Sequence, residues 1–209
     1  RVRGVVANAA DCSTPADVIS ATNFPLGYWH DRPALLNYLK AARASLHKNG
    51  IFVADTYGGT DAFREGSIVQ LMRGPRGEMI EYTFEQRLAD QANARVLDAL
   101  HFSVTPDGLS RAKKTKKPAK KTTRSSAPGE SSGDASNGSY EYRDAFVYDW
   151  RLWSIPELRD AMLDAGFARV EVFDRLGDAM DGQGRLYVKP LEPGEALDEN
   201  WVAYVVGRT

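Results

Sequence analysis

Residues 50–59 read GIFVADTYGG. The apolar run Ile51-Phe52-Val53-Ala54 stops at an acid, an aromatic residue and two glycines. A short continuous apolar run bounded by turn residues reads as a buried strand. The preceding stretch, DRPALLNYLKAARASLH (31–47), puts Leu35, Leu39, Ala42 and Leu46 on one helical face. Asp31 is placed as its N-cap and Pro33 sits in its first turn. Asn49-Gly50 is expected to end that helix. Further upstream, GVVA (4–7) and ADVISATNF (16–24) read as two more apolar strands. Near-continuous apolar strands separated by a helix predict an α/β chain, its parallel sheet covered on both faces.

Downstream the period changes. MIEYTFEQRL (79–88) and VLDALHFSV (96–104) carry apolar residues at even steps, with the polar ADQANAR (89–95) between them as a hairpin loop. YEYRDAFVYDW (140–150) alternates in the same way. These segments predict antiparallel strands inserted into the α/β pattern. Residues 111–139 hold no large apolar side chain and are expected to be a disordered insertion, because nothing offsets their ordering entropy.

WSIPELRDAMLDAGF (153–167) then carries a full set of helix signals. Ser154 and Glu157 form a capping box, Pro156 lies in the first turn, Trp153 can staple onto Leu158, and Gly166 ends the helix with Phe167 packing back. ARVEVFD (168–174) and WVAYVVG (201–207) follow as strands, with loop across 177–194. The domain reading is therefore a partial core over 1–60, an antiparallel insertion over 61–150 and the rest of the core over 151–209.

Bulk composition narrows the function classes. The 209 residues are 43% hydrophobic and 26% charged, with a net charge of −1, so the chain as a whole has no bias toward nucleic acid or anionic membrane. One cysteine, Cys12, excludes an internal disulfide framework and fits a reducing, cytoplasmic setting. No apolar run approaches the roughly 20 residues that span a bilayer. His30, His47 and His101 lack metal-ligand spacing, and a lone Cys12 makes no zinc site, so no metal is expected.

The ordered set ADVISATNF, helix, NGIFVADTYGG, WSIPELRDAMLDAGFARVEVF and a closing WVAYVVGRT resembles the back half of a class I S-adenosylmethionine-dependent methyltransferase. LHKNG stands where that family has its glycine turn before strand five, and the terminal strand would be the antiparallel one inserted between five and six. The resemblance covers about residues 1–59 and 150–209. It implies a Rossmann-like methyltransferase sheet with an inserted antiparallel β region and S-adenosyl-L-methionine as cofactor. The family's glycine-rich loop, and the acid that holds the ribose, have no counterpart here and would lie upstream of Arg1. The N-terminal strands are therefore expected to be missing from this stretch of sequence.

In doubly wound sheets ligands sit beyond the carboxyl ends of the strands, so Ala7, Thr22 and Ala54 are expected to end side by side on one rim. The resemblance implies that a side chain among Asn8, Ala9 and Asp11 meets the adenine; Asn8 and Asp11 both stay open as the acceptor. It further implies that Thr22, Asn23 and Phe24 line the methionine part of the cofactor. Asp55 and Tyr57 end the central strand where an acceptor would approach, with the glycines turning the backbone; Asp55 is open as base, substrate clamp or backbone cap. Trp150 and Arg151 in YDWRLW are candidates for a substrate wall or for core packing.

Two classes of function compete with a small-molecule methyltransferase. RAKKTKKPAKKTTR (111–124) holds 8 Lys and Arg in 14 residues, enough for phosphate contacts by a nucleic-acid-directed protein, but it has no interleaved aromatics. A nicotinamide-dependent reductase of related fold would need a Tyr-x-x-x-Lys pair, which is not found. The ranking keeps a small-molecule acceptor first and nucleic acid second.

Overall fold

A computed structural model describes residues 2–11, 13–106, 131–134, 138–174, 179–180 and 182–209. In chain order its elements are β1 (Ala16–Ala21), α1 (Arg32–Ser45), β2 (Leu46–Gly59), β3 (Gly66–Arg73), β4 (Met79–Asp90), β5 (Arg95–Thr105), β6 (Ser131–Asp134), β7 (Ser139–Arg151), α2 (Ile155–Asp164), β8 (Arg169–Phe173), β9 (Ala179–Met180), β10 (Leu186–Tyr187) and β11 (Asn200–Arg208). They form two compact units, one of residues 1–63, 90–95 and 150–209, the other of 64–89 and 96–149.

The first unit is built on a four-stranded sheet in the order β1-β2-β11-β8. β1 runs parallel to β2, with Ala21 opposite Ala54. β11 runs antiparallel to both its neighbours, Val205 lying opposite Ala54 on one side and Val172 on the other. The last strand of the chain thus inserts between β2 and β8, as the resemblance implied. Both helices pack on one face: Phe52 meets Tyr38 of α1 at 6.0 Å and Phe167 beyond α2 at 5.9 Å. Leu35, Leu39, Phe52, Ala54, Leu158, Met162 and Val205 are all wholly inaccessible there. On the opposite face Ile51 and Val53 stay half-buried. The expectation of a sheet covered on both faces therefore holds for one face; an antiparallel strand in mid-sheet is compatible with a face left toward water.

Several expectations are corrected. GVVA (4–7) is not a strand; Val5 and Val6 are 69% and 106% exposed, and among the described residues the run has no neighbour to pair its backbone. Asn49-Gly50 does not end the helix, since α1 stops at Ser45 and Leu46 is already extended. Ala16 lies opposite Leu46 but Val18 lies opposite Ile51, so residues 47–50 loop out of β2 as a bulge, with Asn49 left-handed at φ 66°. Nor do Gly58 and Gly59 turn the chain out of the strand. They stay in β2 opposite Trp201 and Asn200, and a Cβ on Gly58 would fall 2.4 Å from the Trp201 ring. The loop over 177–194 contains the two-residue pair β9–β10.

α2 matches its signals closely. Ser154 and Glu157 form the reciprocal capping box. At the other end Phe167 N–H donates to the Met162 carbonyl (3.2 Å) and Gly166 N–H to that of Leu163 (2.9 Å), with Gly166 at φ 97°. This is a complete Schellman motif.

The second unit is a five-stranded sheet, β3-β4-β5-β7-β6. The β4–β5 hairpin stands where alternation placed it, its turn closed by the Asp90 carboxylate accepting N–H groups of Ala92 (3.0 Å) and Asn93 (3.2 Å). Tyr82, Phe102, Phe146 and Tyr148 form a row of ring contacts across β4, β5 and β7. A charged cluster also sits on this sheet. His101 accepts the Asp144 N–H at Nδ1 (3.0 Å) and donates from Nε2 to Glu85 (3.1 Å), while Arg87 bridges Glu85 and Asp144. The Arg87 bond holds the Asp144 carboxyl below the usual carboxylate range. Of the expected disordered segment 111–139, residues 111–130 and 135–137 lie outside the described residues. Ser131–Asp134, however, is the strand β6 paired with Ser139–Tyr142 of β7, because ladder bonds require only backbone groups. No helix of the described residues is long and apolar enough to cross a membrane.

Candidate functional site

The pairing of Ala21 with Ala54 sets the carboxyl end of β1 beside the interior of β2, which does not end at Asp55 or Tyr57 as expected but runs on to Gly59 against β11, and residues 22–24 and 55–57 border one place. What joins them is Asp55. Its Oδ2 accepts the Asn23 N–H (2.8 Å) and its Oδ1 the Phe24 N–H (2.7 Å), and the residue is only 8% exposed. Successive backbone N–H groups make such an anion-holding nest. Both loop residues are left-handed, Asn23 at φ 72° and Phe24 at φ 58°, a conformation that Asn takes more readily than most but that costs roughly 1–2 kcal/mol for Phe. Phe24 also precedes Pro25, where helical conformations of either hand are crowded.

Aromatic rings gather over this clamp. Phe24 meets Tyr57 edge-on at 4.8 Å and Trp150 at 5.8 Å, and Tyr28 reaches Trp150 at 6.1 Å. Trp150 can lie so close because Gly27 has no side chain; a Cβ there would sit 2.9 Å from the indole. Phe24, Gly27, Asp55, Tyr57, Trp150 and Trp153 line a hollow of about 10 Å³, room for a single water. Arg151 is committed to structure. It stacks 3.7 Å over the Trp153 ring, donates to the His30 carbonyl (3.1 Å) and pairs with Glu157 (3.1 Å). Partial burial pushes the Glu157 carboxyl up, but the Ser154 bonds and Arg151 outweigh it and hold that carboxyl below its ordinary value. Trp153 in turn donates to the Leu26 (3.1 Å) and Trp29 (3.0 Å) carbonyls, tying the segment before α2 to the turn after β1.

Of the sequence-derived candidates, Phe24, Asp55, Tyr57, Trp150 and Arg151 come together around the hollow. Thr22 and Asn23 lie exposed at the end of β1. Asn8, Ala9 and Asp11 do not join them. Asn8 Oδ1 accepts the Ala10 N–H and its carbonyl the Asp11 N–H, both at 3.0 Å, in a local turn whose Ala10 packs on the core. The expected common rim of three strand ends is not formed: β1 ends beside Ala54, but β2 continues to Gly59 and Ala7 ends no strand. Leu26, Gly27, Thr56 and Leu152 also line the hollow and were not anticipated. Cys12 and the basic run 111–124 lie outside the described residues. Among those described, no group of three or more His, Cys, Asp or Glu is placed to hold a metal ion.

Neither a protein-family model nor a curated protein matches the chain. Solved structures do share its fold. DesVI of Streptomyces venezuelae is similar over 96% of this chain and 62% of its own, with 15% identity and a TM-score of 0.59. An amino pentose methyltransferase from Micromonospora echinaspora, solved with SAM bound, is similar over 97% of this chain and 63% of its own (13% identity, TM-score 0.56). An S-adenosylmethionine-dependent methyltransferase from Clostridium acetobutylicum is similar over the same shares (13% identity, TM-score 0.55). The chain therefore has a Rossmann-like methyltransferase fold and spans a little under two thirds of the length of these structures.

Proposed function

We propose that this chain belongs to an S-adenosyl-L-methionine-dependent methyltransferase acting on a small-molecule acceptor. The observation that carries the reading is the strand order β1-β2-β11-β8, with antiparallel β11 between two strands that are parallel to each other and β1 parallel to β2. The similar structures solved as methyltransferases support it, one of them described as acting on an amino pentose.

Thr22 and Asn23 fit the amino-acid end of the cofactor: both are exposed at the carboxyl end of β1, and hydroxyl and carboxamide groups can meet an amino group and a carboxylate. When bound, that cofactor supplies an electrophilic methyl on a sulfonium. The chain's own residues then have mainly to orient the acceptor, because in-line placement accounts for much of such a rate enhancement. Tyr28, 54% exposed beside the half-buried Phe24 and Tyr57 and the buried Trp150, offers an aromatic face for that purpose. The small hollow beneath does not admit an acceptor, so acceptor contacts belong to the exposed side of the cluster. The adenine contact that the resemblance assigned to Asn8 or Asp11 has no support in the local turn they form.

Calorimetry of the full-length protein with S-adenosylhomocysteine tests the reading. One-to-one binding is expected, with no heat from NADH or NADPH. Binding of a nicotinamide cofactor without S-adenosylhomocysteine would overturn it.

A further inference from the structure

We infer that Asp55 is a positioning residue: its carboxylate holds the β1 exit loop in a left-handed conformation and thereby sets where Thr22 and Asn23 stand. Both oxygens are engaged, one by each of two successive N–H groups, and the residue is almost wholly buried. Two consecutive left-handed residues with side chains persist only where their surroundings over-determine them. Here the surroundings are specific. Asp55 holds the amides, the Phe24 ring is caught between Tyr57 and Trp150, and Trp150 is seated on Gly27. Removing the clamp lets residues 23–24 return to ordinary backbone regions, which swings Asn23 away from the strand end and withdraws the Phe24 ring.

A carboxylate used in this way does not serve as proton acceptor for a substrate. The chemistry agrees, because methyl transfer from a sulfonium depends on placement more than on a strong base. The functional part of the inference rests on the methyltransferase reading; the clamp itself does not.

The test joins hydrogen exchange to ligand binding in the full-length protein. In the unaltered protein the amides of Asn23 and Phe24 should exchange slowly although Thr22 and Asn23 are exposed; fast exchange of both would overturn the clamp without any variant. In Asp55→Asn one oxygen remains and an NH₂ faces the other donor, so protection at residues 23 and 24 should fall on the order of tenfold to a hundredfold. S-adenosylhomocysteine affinity should fall with it. Adding Asn23→Gly, which takes φ 72° without penalty, should restore part of the protection, and folding if Asp55→Asn alone does not fold, while affinity stays low because the Asn23 carboxamide is gone. A catalytic base predicts otherwise: unchanged protection and affinity, a fall confined to kcat, and no rescue by glycine. If the unaltered protein binds no S-adenosylhomocysteine but the exchange pattern and its glycine rescue hold, the methyltransferase reading fails and the clamp stands.

Discussion

Phe52 in β2 and Leu71 in β3 are large apolar residues in the middle of strands, yet Phe52 is inaccessible and Leu71 is 64% exposed. β2 has a strand on each side and two helices packed over one face. β3 has β4 on one side only, and all eight of its residues are exposed. The contrast separates what pairing does from what packing does. Pairing satisfies backbone groups and is enough to make a strand, even one of Ser and Gly such as β6. Packing removes apolar area from water, and it is what gives a residue weight in stability.

The sharpest way to break this contrast is to truncate one residue in each sheet. Phe52→Ala should cost about 3–5 kcal/mol in denaturant unfolding, as buried aromatic truncations do. Ile68→Thr on β3, 60% exposed, should stay within about 0.5 kcal/mol. Equal losses would mean that β3 is covered in solution. Gly207→Ala comes next. Its Cβ would lie 2.6 Å from the Phe167 ring, which is itself 3% exposed and cannot withdraw, so a loss of about 1–3 kcal/mol is expected from overpacking. Ser154→Ala removes the hydroxyl half of the α2 capping box and should cost about 1 kcal/mol by thermal melting.

The smallest effect is one of pH and belongs to the second sheet. With the Asp144 carboxyl held down by Arg87, the folded state gains stability above the ordinary carboxylate pKa and loses it as pH falls through the lowered value. Arg87→Ala should therefore flatten the acid side of the stability profile of the five-stranded sheet while leaving its neutral-pH secondary structure in place. An unchanged acid slope would show that the bridge contributes nothing, as many half-exposed pairs do.

The same distinction explains how much was legible in the sequence. Segments whose apolar period is enforced by packing were readable: α1 with Leu35, Leu39 and Ala42, α2 with its caps, and the strands around Phe52, Val172 and Val205. β3 and β6 were not, because exposed strands show no alternation and small residues show no apolar signal. GVVA misled for the opposite reason, since its composition suits a strand but none of the described residues pairs with it. At the site, Asp55 stood out as an acid ending an apolar run, but its partners lie 31 and 32 positions away as backbone amides. A donor that every residue except proline possesses leaves no mark in a sequence. For Arg151 a substrate wall and packing with an ion pair both stay open in the sequence, and its bonds to His30 and Glu157 accord with the second.

The order of strands around Ala54 is the claim on which the functional reading stands, and an NMR spectrum resolves it directly. Hα–Hα cross-peaks should run along β2 and β11, which pair antiparallel with Val205 opposite Ala54, and none should link β1 to β2, whose parallel pairing holds those protons apart. Hα–Hα peaks between β1 and β2, or β11 found at the edge beyond β8, would contradict the account.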